Sequence, residues 1–171
     1  MVAVTPRLHL EHALRHTTST TVTGFLELLA GEPIEAFDRQ HLTIEARVPN
    51  PLGVDQGHPL LARSTVLKGT TSGQSYLYAR SLLVPSRLPI GFCRQLEATS
   101  DPIGRILVRQ RVEFDRSPLP GLEPDLLAMF TDSVPDGYLL SRTYRVAVNG
   151  EQAILIGEWF LAALEQLLGA F

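Results

Sequence analysis

Apolar residues at the start of the chain recur at the spacing of a helix. Residues 1–16 contain a short helical candidate, and a firmer helix is predicted over about 21–30. The apolar stripe of this second helix consists of Val22, Phe25, Leu26 and Leu29. Thr20 or Thr21 can cap its start, and Gly31 can end it.

The pattern changes to alternation in the next part of the chain. The alternating apolar positions of a strand predicted over 34–48 are Leu42, Ile44, Ala46 and Val48. Residues 49–59 are rich in proline and glycine and are predicted to form a loop. Residues 60–69 and 74–85 are predicted to form a hairpin around a turn at 70–73.

The middle of the chain mixes short helices with a strand. Two helices are predicted near 89–98 and 102–108, each with a proline in its first turn, and Asp101 is a suitable cap for the second. A strand is expected near 109–116 and a further helix near 124–129.

The C-terminal part carries the strongest turn signal in the chain. Asn149 and Gly150 separate two strands predicted over 139–148 and 151–161, which is the pattern of a tight hairpin. Residues 164–168 are predicted to form an extra short helix. Neighbouring hairpins with short helices between them predict an α+β fold with a mostly antiparallel sheet.

Length and composition set broad limits on the class of protein. With 171 residues, 44% of them apolar, residues 1–171 are predicted to form a single domain with a sizeable core. The net charge of −3 and the lack of a basic run argue against nucleic acid as a partner. Neither a signal peptide nor a bilayer-spanning stretch is recognised, so a cytoplasmic location without a membrane partner is expected.

Neither cysteine nor histidine forms a convincing site in the sequence. Cys93 is the only cysteine, which excludes an internal disulfide framework and a cysteine-rich zinc site, and it is interpreted as a buried structural thiol. His9, His12 and His16 share helical spacing and could bind zinc. Since no nearby carboxylate completes such a site, a solvated helix is the favoured interpretation and no metal is expected.

Glu158 is the most informative single residue. It lies in the otherwise apolar segment 153–161, just after the second hairpin turn. An ionised carboxylate away from water is costly unless it is paired or protonated. Two interpretations are open: Glu158 lies on the polar face of an edge strand, or it lies in a ligand cavity with a raised pKa.

Two arginines in the first predicted hairpin bear on that choice. A two-residue or four-residue loop places Arg63 directly opposite Arg80, where like charges repel. A carboxylate ligand, or Glu158, between the two guanidinium groups would explain the pair. A slipped register or a three-residue loop would instead put one arginine outside. Tyr78 shares the predicted face of Arg80 and is either a core residue or a ligand contact.

Five motifs occur in a characteristic order along the chain. They are Leu61–Leu67, Tyr76–Pro85, Arg87–Pro89 followed by Asp101–Leu107, Arg142–Arg145, and Asn149–Gly150 through Ile156–Phe160. In this order and spacing the chain resembles the chorismate pyruvate-lyase family, including its actinobacterial 4-hydroxybenzoate synthase branch. The resemblance covers roughly residues 20–161.

The resemblance implies a six-stranded antiparallel sheet flanked by short helices, with the ligand enclosed under helical flaps. It also implies conversion of chorismate to 4-hydroxybenzoate and pyruvate without metal or cofactor. The family's carboxylate-binding arginine falls on Arg63, and its acidic residue at the ligand hydroxyl falls on Glu158. Backbone groups that touch the ring fall at Val22 and Ile103. Arg80 matches a supporting arginine that could balance charge on the leaving enolpyruvyl group.

Two other functions stay open from the sequence. The same fold is used as the small-molecule sensing domain of GntR-class regulators, so an aromatic-acid binding module is the second hypothesis. A cyclase or dehydratase that reuses the cavity is the third. In each case the expected partner is a small molecule, and the sequence leaves the oligomeric state and the exact substrate undetermined. Release of pyruvate from chorismate separates the first hypothesis from the others.

Overall fold

An antiparallel sheet organises the fold. The structure of the protein, a computed structural model, describes residues 5–16, 21–121 and 129–169. The strands in this described part are β1 Ile34–Glu45, β2 Pro59–Gly69, β3 Ser75–Leu83, β4 Phe114–Pro118, β5 Leu140–Val148 and β6 Glu151–Phe160. They form one six-stranded sheet in the order β1-β2-β3-β6-β5-β4, with β6 near its centre. The expected α+β class is confirmed.

Short helices complete the described part of the chain. They are α1 Pro6–His16, α2 Val22–Ala30, α3 Phe92–Ala98, α4 Ile103–Arg109 and α5 Leu164–Leu168. The predicted caps of α2 are confirmed: the Thr21 hydroxyl accepts a hydrogen bond from the Gly24 N–H at 3.1 Å, and Gly31 ends the helix in the left-handed region at φ 67°. None of the described helices is long and apolar enough to cross a bilayer.

The helices cover one face of the sheet in two groups. Helices α1, α2 and α5 pack over a cluster that contains Leu26, Leu77 and Phe160. Helices α3 and α4 pack over a second cluster that contains Ile106 and Ile154. Burial of these apolar stripes drives the association of short helices that would be marginal alone.

The opposite face of the sheet is covered by loop residues. Leu52 and Val54, from the predicted loop after β1, pack with Phe130 against Leu82 and Leu155. Strands β2, β3 and β6 are therefore buried on both faces of the sheet. This accounts for the burial of the last eight residues of β6, including both sides of the strand.

The second hairpin turns as its sequence predicts. Asn149 and Gly150 join β5 to β6 with φ values of 50° and 82°, the two positive angles that a tight type I′ turn requires. Asparagine and glycine are the residues that adopt these angles at least cost.

The first hairpin differs from its predicted register. Lys68 pairs with Ser75, but the register then shifts, so that Arg63 pairs with Ser81 and Arg80 pairs with Ser64. Because successive residues of a strand point to opposite faces, Arg63 and Arg80 lie on opposite faces of the sheet. The prediction that these arginines face each other is wrong, and the cause is a β-bulge near the turn.

Three smaller expectations are also corrected. The strand expected at 109–116 begins only at Phe114, because α4 extends to Arg109. The helix expected from residue 89 begins at Phe92. Asp101 does not cap α4 with its side chain and instead forms ion pairs with arginines of that helix. The helix expected near 124–129 lies mostly outside the described residues.

Candidate functional site

A narrow cavity lies between the sheet and the two groups of helices. The starts of α2 and α4 form one wall, and side chains of β2, β3, β4, β5 and β6 form the floor. Apolar lining residues from the sheet are Leu67, Leu77, Ala79, Val146 and Ile156. The centre of a water molecule can move within about 50 Å³ of this space. The cavity is therefore lined mainly by apolar side chains, as is usual for small-molecule sites.

Glu158 extends into the cavity from a central strand. Its side chain is only 2% exposed, so the alternative of an edge strand with a polar face does not hold. Arg142 Nε donates to Glu158 Oε2 at 2.6 Å, and the Tyr144 hydroxyl donates to Oε1 at 2.7 Å. Each carboxylate oxygen thus has one donor and keeps acceptor capacity for a ligand.

The two donors to Glu158 stay protonated at neutral pH. Burial, and then the charge of Glu158, raise the pKa of the Tyr144 hydroxyl far above its usual value. Burial alone would lower the pKa of Arg142, but the charge of Glu158 raises it overall. The guanidinium group also lies over the Tyr144 ring at 5.2 Å. Arg142 therefore compensates the charge of the buried carboxylate.

Arg63 supplies a second charged group to the cavity. It is 1% exposed, and its Nε and Nη2 atoms both approach Asp38 Oδ1, at 2.8 and 2.7 Å. The other oxygen of Asp38 lies 3.4 Å from His41 Nδ1, and His41 Nε2 lies 3.2 Å from Glu97 of α3. A guanidinium group has five N–H donors in a fixed fork. The contacts with Asp38 thus hold the side chain in place while leaving donors for a ligand.

Arg80 and Tyr78, two candidates from the sequence, are not brought to this cavity. On the opposite face, Arg80 Nε donates to the Tyr78 hydroxyl at 2.8 Å, and this hydroxyl donates to Asp132 Oδ2 at 2.5 Å. The guanidinium group of Arg80 also lies 5.1 Å from the centroid of the Phe130 ring. Both residues therefore belong to a buried polar cluster that fastens the loop around Asp132 to the sheet.

Val22 and Ile103, two further candidates from the resemblance, lie at the edge of this cavity. They are the first residues of α2 and α4, and both line the cavity. The two helix starts approach closely, because a Cβ atom added to Gly104 would lie 3.0 Å from the Thr21 Cβ atom. An ion pair between Arg105 of α4 and Glu27 of α2 joins the same helices. Helices α2 and α4 together form a lid over the sheet.

Several residues at the cavity were not identified from the sequence. Asp38 pairs with Arg63 across β1 and β2, and nothing in the local pattern of β1 indicated that contact. Thr23 is 2% exposed and lines the cavity, and its hydroxyl has no hydrogen-bond partner among the described residues. Arg116 lines the cavity from β4, a strand whose start was predicted too early. Arg142 and Tyr144 were noted only as part of a motif.

The remaining sequence candidates lie away from the cavity. Cys93 is half-buried, and burial followed by the charge of Glu97 raises the pKa of its thiol, as suits a packing residue. His9 and His12 are exposed on α1, and the side chain of His16 lies outside the described part of the structure. Among the described residues, no group of three or more histidine, cysteine, aspartate or glutamate side chains could hold a metal ion.

Solved structures match this chain with TM-scores just below 0.5. PhnF from Mycobacterium smegmatis matches with a TM-score of 0.49 and 16% sequence identity, over 84% of this chain and 64% of that chain. A transcriptional regulator of the GntR family from Bacillus cereus matches with a TM-score of 0.47 and 9% identity, over 76% of this chain and 92% of that chain.

Curated relatives are more similar in sequence. A chorismate pyruvate-lyase of Mycobacterium leprae is 29% identical over 157 residues, which cover 87% of this chain and 73% of the relative. A chorismate pyruvate-lyase of Mycobacterium tuberculosis is 28% identical over 108 residues, which cover 61% of this chain and 54% of the relative. The second match thus spans about half the length of that relative.

A family model also matches most of the chain. The model described as "Chorismate pyruvate-lyase Rv2949c-like" matches residues 17–168, which include every strand of the sheet and all the cavity residues named above. The chain therefore belongs to the Rv2949c-like chorismate pyruvate-lyase family.

Proposed function

We propose that the protein is a lyase that converts chorismate to 4-hydroxybenzoate and pyruvate without a cofactor, with residues 1–171 acting as one domain. The observation that carries this proposal is the placement of Arg63 and Glu158 in one apolar cavity. Membership of the family and the names of the mycobacterial relatives support the choice of chorismate.

The charged groups of the cavity can bind the polar groups at the two ends of the chorismate ring. Chorismate carries a ring carboxylate, and a ring hydroxyl lies at the opposite end beside an enolpyruvyl ether. The free donors of Arg63 bind the ring carboxylate as a fork. Glu158 accepts a hydrogen bond from the ring hydroxyl through the acceptor capacity that Arg142 and Tyr144 leave.

The reaction balances without water or an oxidant. The bond between the ring carbon and the ether oxygen breaks, and the neighbouring ring carbon, which carries the hydroxyl, loses its hydrogen as a proton. The electron pair completes the aromatic ring, and the enolpyruvate that leaves takes up a proton on carbon to become pyruvate. Glu158 lies at the hydroxyl-bearing carbon in this arrangement and can carry the proton between the two fragments.

The protein chiefly holds the substrate in place in this scheme. Aromatisation supplies the driving force, so catalysis needs orientation and a fixed electrostatic environment more than a strong reagent. The cavity supplies rigid charged groups, with Arg63 held by Asp38 and Glu158 held by Arg142 and Tyr144. The apolar walls match an aromatic product.

The test is incubation of the purified protein with chorismate. Pyruvate is measured by coupling to lactate dehydrogenase, and the aromatic product is identified by chromatography against 4-hydroxybenzoate. We expect both products in equal amounts. Tight binding of chorismate without pyruvate would instead indicate a binding module, and a different product would indicate another enzyme that uses the same cavity.

A further inference from the structure

Arg116 is the guanidinium group at the cavity that has no carboxylate partner. Arg63 is paired with Asp38, and Arg142 is paired with Glu158. The backbone of Arg116 pairs with Val146 of β5. Within residues 5–16, 21–121 and 129–169, its guanidinium group forms neither a hydrogen bond nor an ion pair. It only lies over two aromatic rings, those of Phe114 at 5.8 Å and Tyr144 at 5.7 Å. A half-buried guanidinium group without a partner can bind an anionic group of a ligand.

The position of Arg116 in the sheet places it across the cavity from Arg63. Glu158 is on β6, Arg63 is two strands away on β2, and Arg116 is two strands away on the other side, on β4. Four strand spacings separate the backbones of β2 and β4 by roughly 19 Å. Arg63 and Arg116 therefore line the cavity from either side of the strand that carries Glu158.

We propose that Arg116 binds the second carboxylate of a dicarboxylate substrate, the one joined to the ring through an ether oxygen beside the hydroxyl. This inference rests on the proposed function and adds the group that would recognise the part of the substrate that leaves. It assigns to Arg116 the role that the sequence suggested for Arg80, whose side chain lies on the other face of the sheet.

The assignment has a consequence for selectivity. The ring carboxylate on Arg63 is common to substrate and product, whereas the second carboxylate departs with the pyruvate. Arg116 therefore favours the dianionic substrate over the monoanionic aromatic product, which lowers competition by the product. Contact with the Tyr144 ring limits the positions open to the guanidinium group and places it next to the residue that donates to Glu158.

A matched pair of unreactive ligands tests the assignment. 3-(Carboxymethoxy)-4-hydroxybenzoate carries a second carboxylate through an ether oxygen, and 3-methoxy-4-hydroxybenzoate lacks only that carboxylate. Titration calorimetry measures the affinity of each ligand for the wild type and for Arg116→Gln, Arg116→Lys and Arg111→Gln. The last is the control, since Arg111 is exposed and does not line the cavity, yet the charge change is the same.

We expect the wild type and Arg111→Gln to bind the dicarboxylate about ten- to a hundredfold more tightly than the matched ether, the range for a hydrogen bond to a charged group. Arg116→Gln should abolish this preference and leave the affinity for the ether unchanged, and Arg116→Lys should restore part of it. Binding of both ligands without a preference in the wild type, or a preference retained in Arg116→Gln, overturns the inference alone. Failure of the wild type to bind either ligand overturns the proposed function together with it.

Discussion

Arg63 is a buried charged residue whose side chain is held at the cavity by a partner carboxylate. Its side chain is 1% exposed, and without Asp38 the buried charge would be strongly destabilising. Asp38 is 29% exposed, so water still solvates the partner carboxylate. The pair thus keeps a guanidinium group charged and oriented inside an apolar cavity.

This arrangement predicts the effect of replacing Arg63. Arg63→Ala should weaken binding of 4-hydroxybenzoate by about 2–5 kcal/mol, because a forked charged contact is lost. Arg63→Lys should not restore full affinity, since a point charge cannot form the fork. Titration calorimetry measures both, with Arg80→Lys as a control on the opposite face of the same hairpin. Wild-type affinity in Arg63→Ala would refute the role assigned to this residue.

At the scale of elements, the sequence predicted the type of most helices and strands. The caps of α2 and the Asn149–Gly150 turn depend on local chemistry, and the structure confirms both. The registers could not be predicted, because both hairpins carry a shift close to the turn. Each shift moves every later pair by one residue. In the first hairpin this places Arg80 on the face of the sheet opposite Arg63, not on the same face as predicted.

The shift in the second hairpin explains why Arg142 was missed as a partner of Glu158. A plain two-residue hairpin at Asn149–Gly150 would pair Arg142 with Gly157. The register shift between Val146 and Ala147 instead pairs Arg142 with Glu158. A bulge depends on packing over the whole sheet, and no local pattern of residues in β5 or β6 specifies it.

Glu32 stabilises the turn of the first hairpin, and this stabilisation depends on pH. Its carboxylate accepts hydrogen bonds from the Thr71 and Ser72 N–H groups at 2.8 Å, and also from the hydroxyl groups of Ser72 and Tyr76. The Ser72 hydroxyl is the largest cause of a pKa lowered from 4.5 to about 2. A lowered folded-state pKa stabilises the fold above the unfolded-state value, and the stabilisation is lost as the pH falls towards the folded-state value.

We therefore expect the melting temperature to fall between about pH 4.5 and pH 2 partly through protonation of Glu32. Glu32→Gln should be less stable than the wild type near neutral pH, and the difference should shrink across this window. Thermal unfolding followed by circular dichroism measures it, with Glu45→Gln as the control for loss of an exposed charge on the neighbouring strand. A constant difference at every pH would contradict the assignment.

The lid formed by α2 and α4 gives a second prediction for an element. Arg105 pairs with Glu27 across the two helices, whereas Arg109 of α4 pairs with the nearby Asp101 and, within the part of the chain that the structure describes, does not bridge to α2. Arg105→Ala should therefore release 4-hydroxybenzoate several-fold faster than Arg109→Ala. Both changes should cost about 1 kcal/mol of stability or less, because the ion pairs are partly exposed. Stopped-flow displacement measures the release rates, and equal rates would argue against a lid.

At the scale of the whole molecule, the site depends on two helix groups and a sheet that meet around one cavity. The resemblance to a known family indicated Arg63, Glu158, Val22 and Ile103, which line it. The sequence did not indicate Arg116 or Thr23, because their proximity arises only when edge strand β4 and helix α2 close over the same sheet. Contacts of this kind depend on the tertiary arrangement and leave no periodic signal.

The role of Glu158 in the proposed lyase reaction is tested by single-turnover release of pyruvate from chorismate by the wild type and by Glu158→Gln. The amide keeps the shape of the side chain but cannot carry the proton. Glu151→Gln provides the matched control, since Glu151 is exposed at the far end of the same strand, and circular dichroism checks that all three proteins are folded. We predict a rate reduced about a hundredfold or more in Glu158→Gln and unchanged in Glu151→Gln. A folded Glu158→Gln protein that releases pyruvate at the wild-type rate would contradict a catalytic role of Glu158.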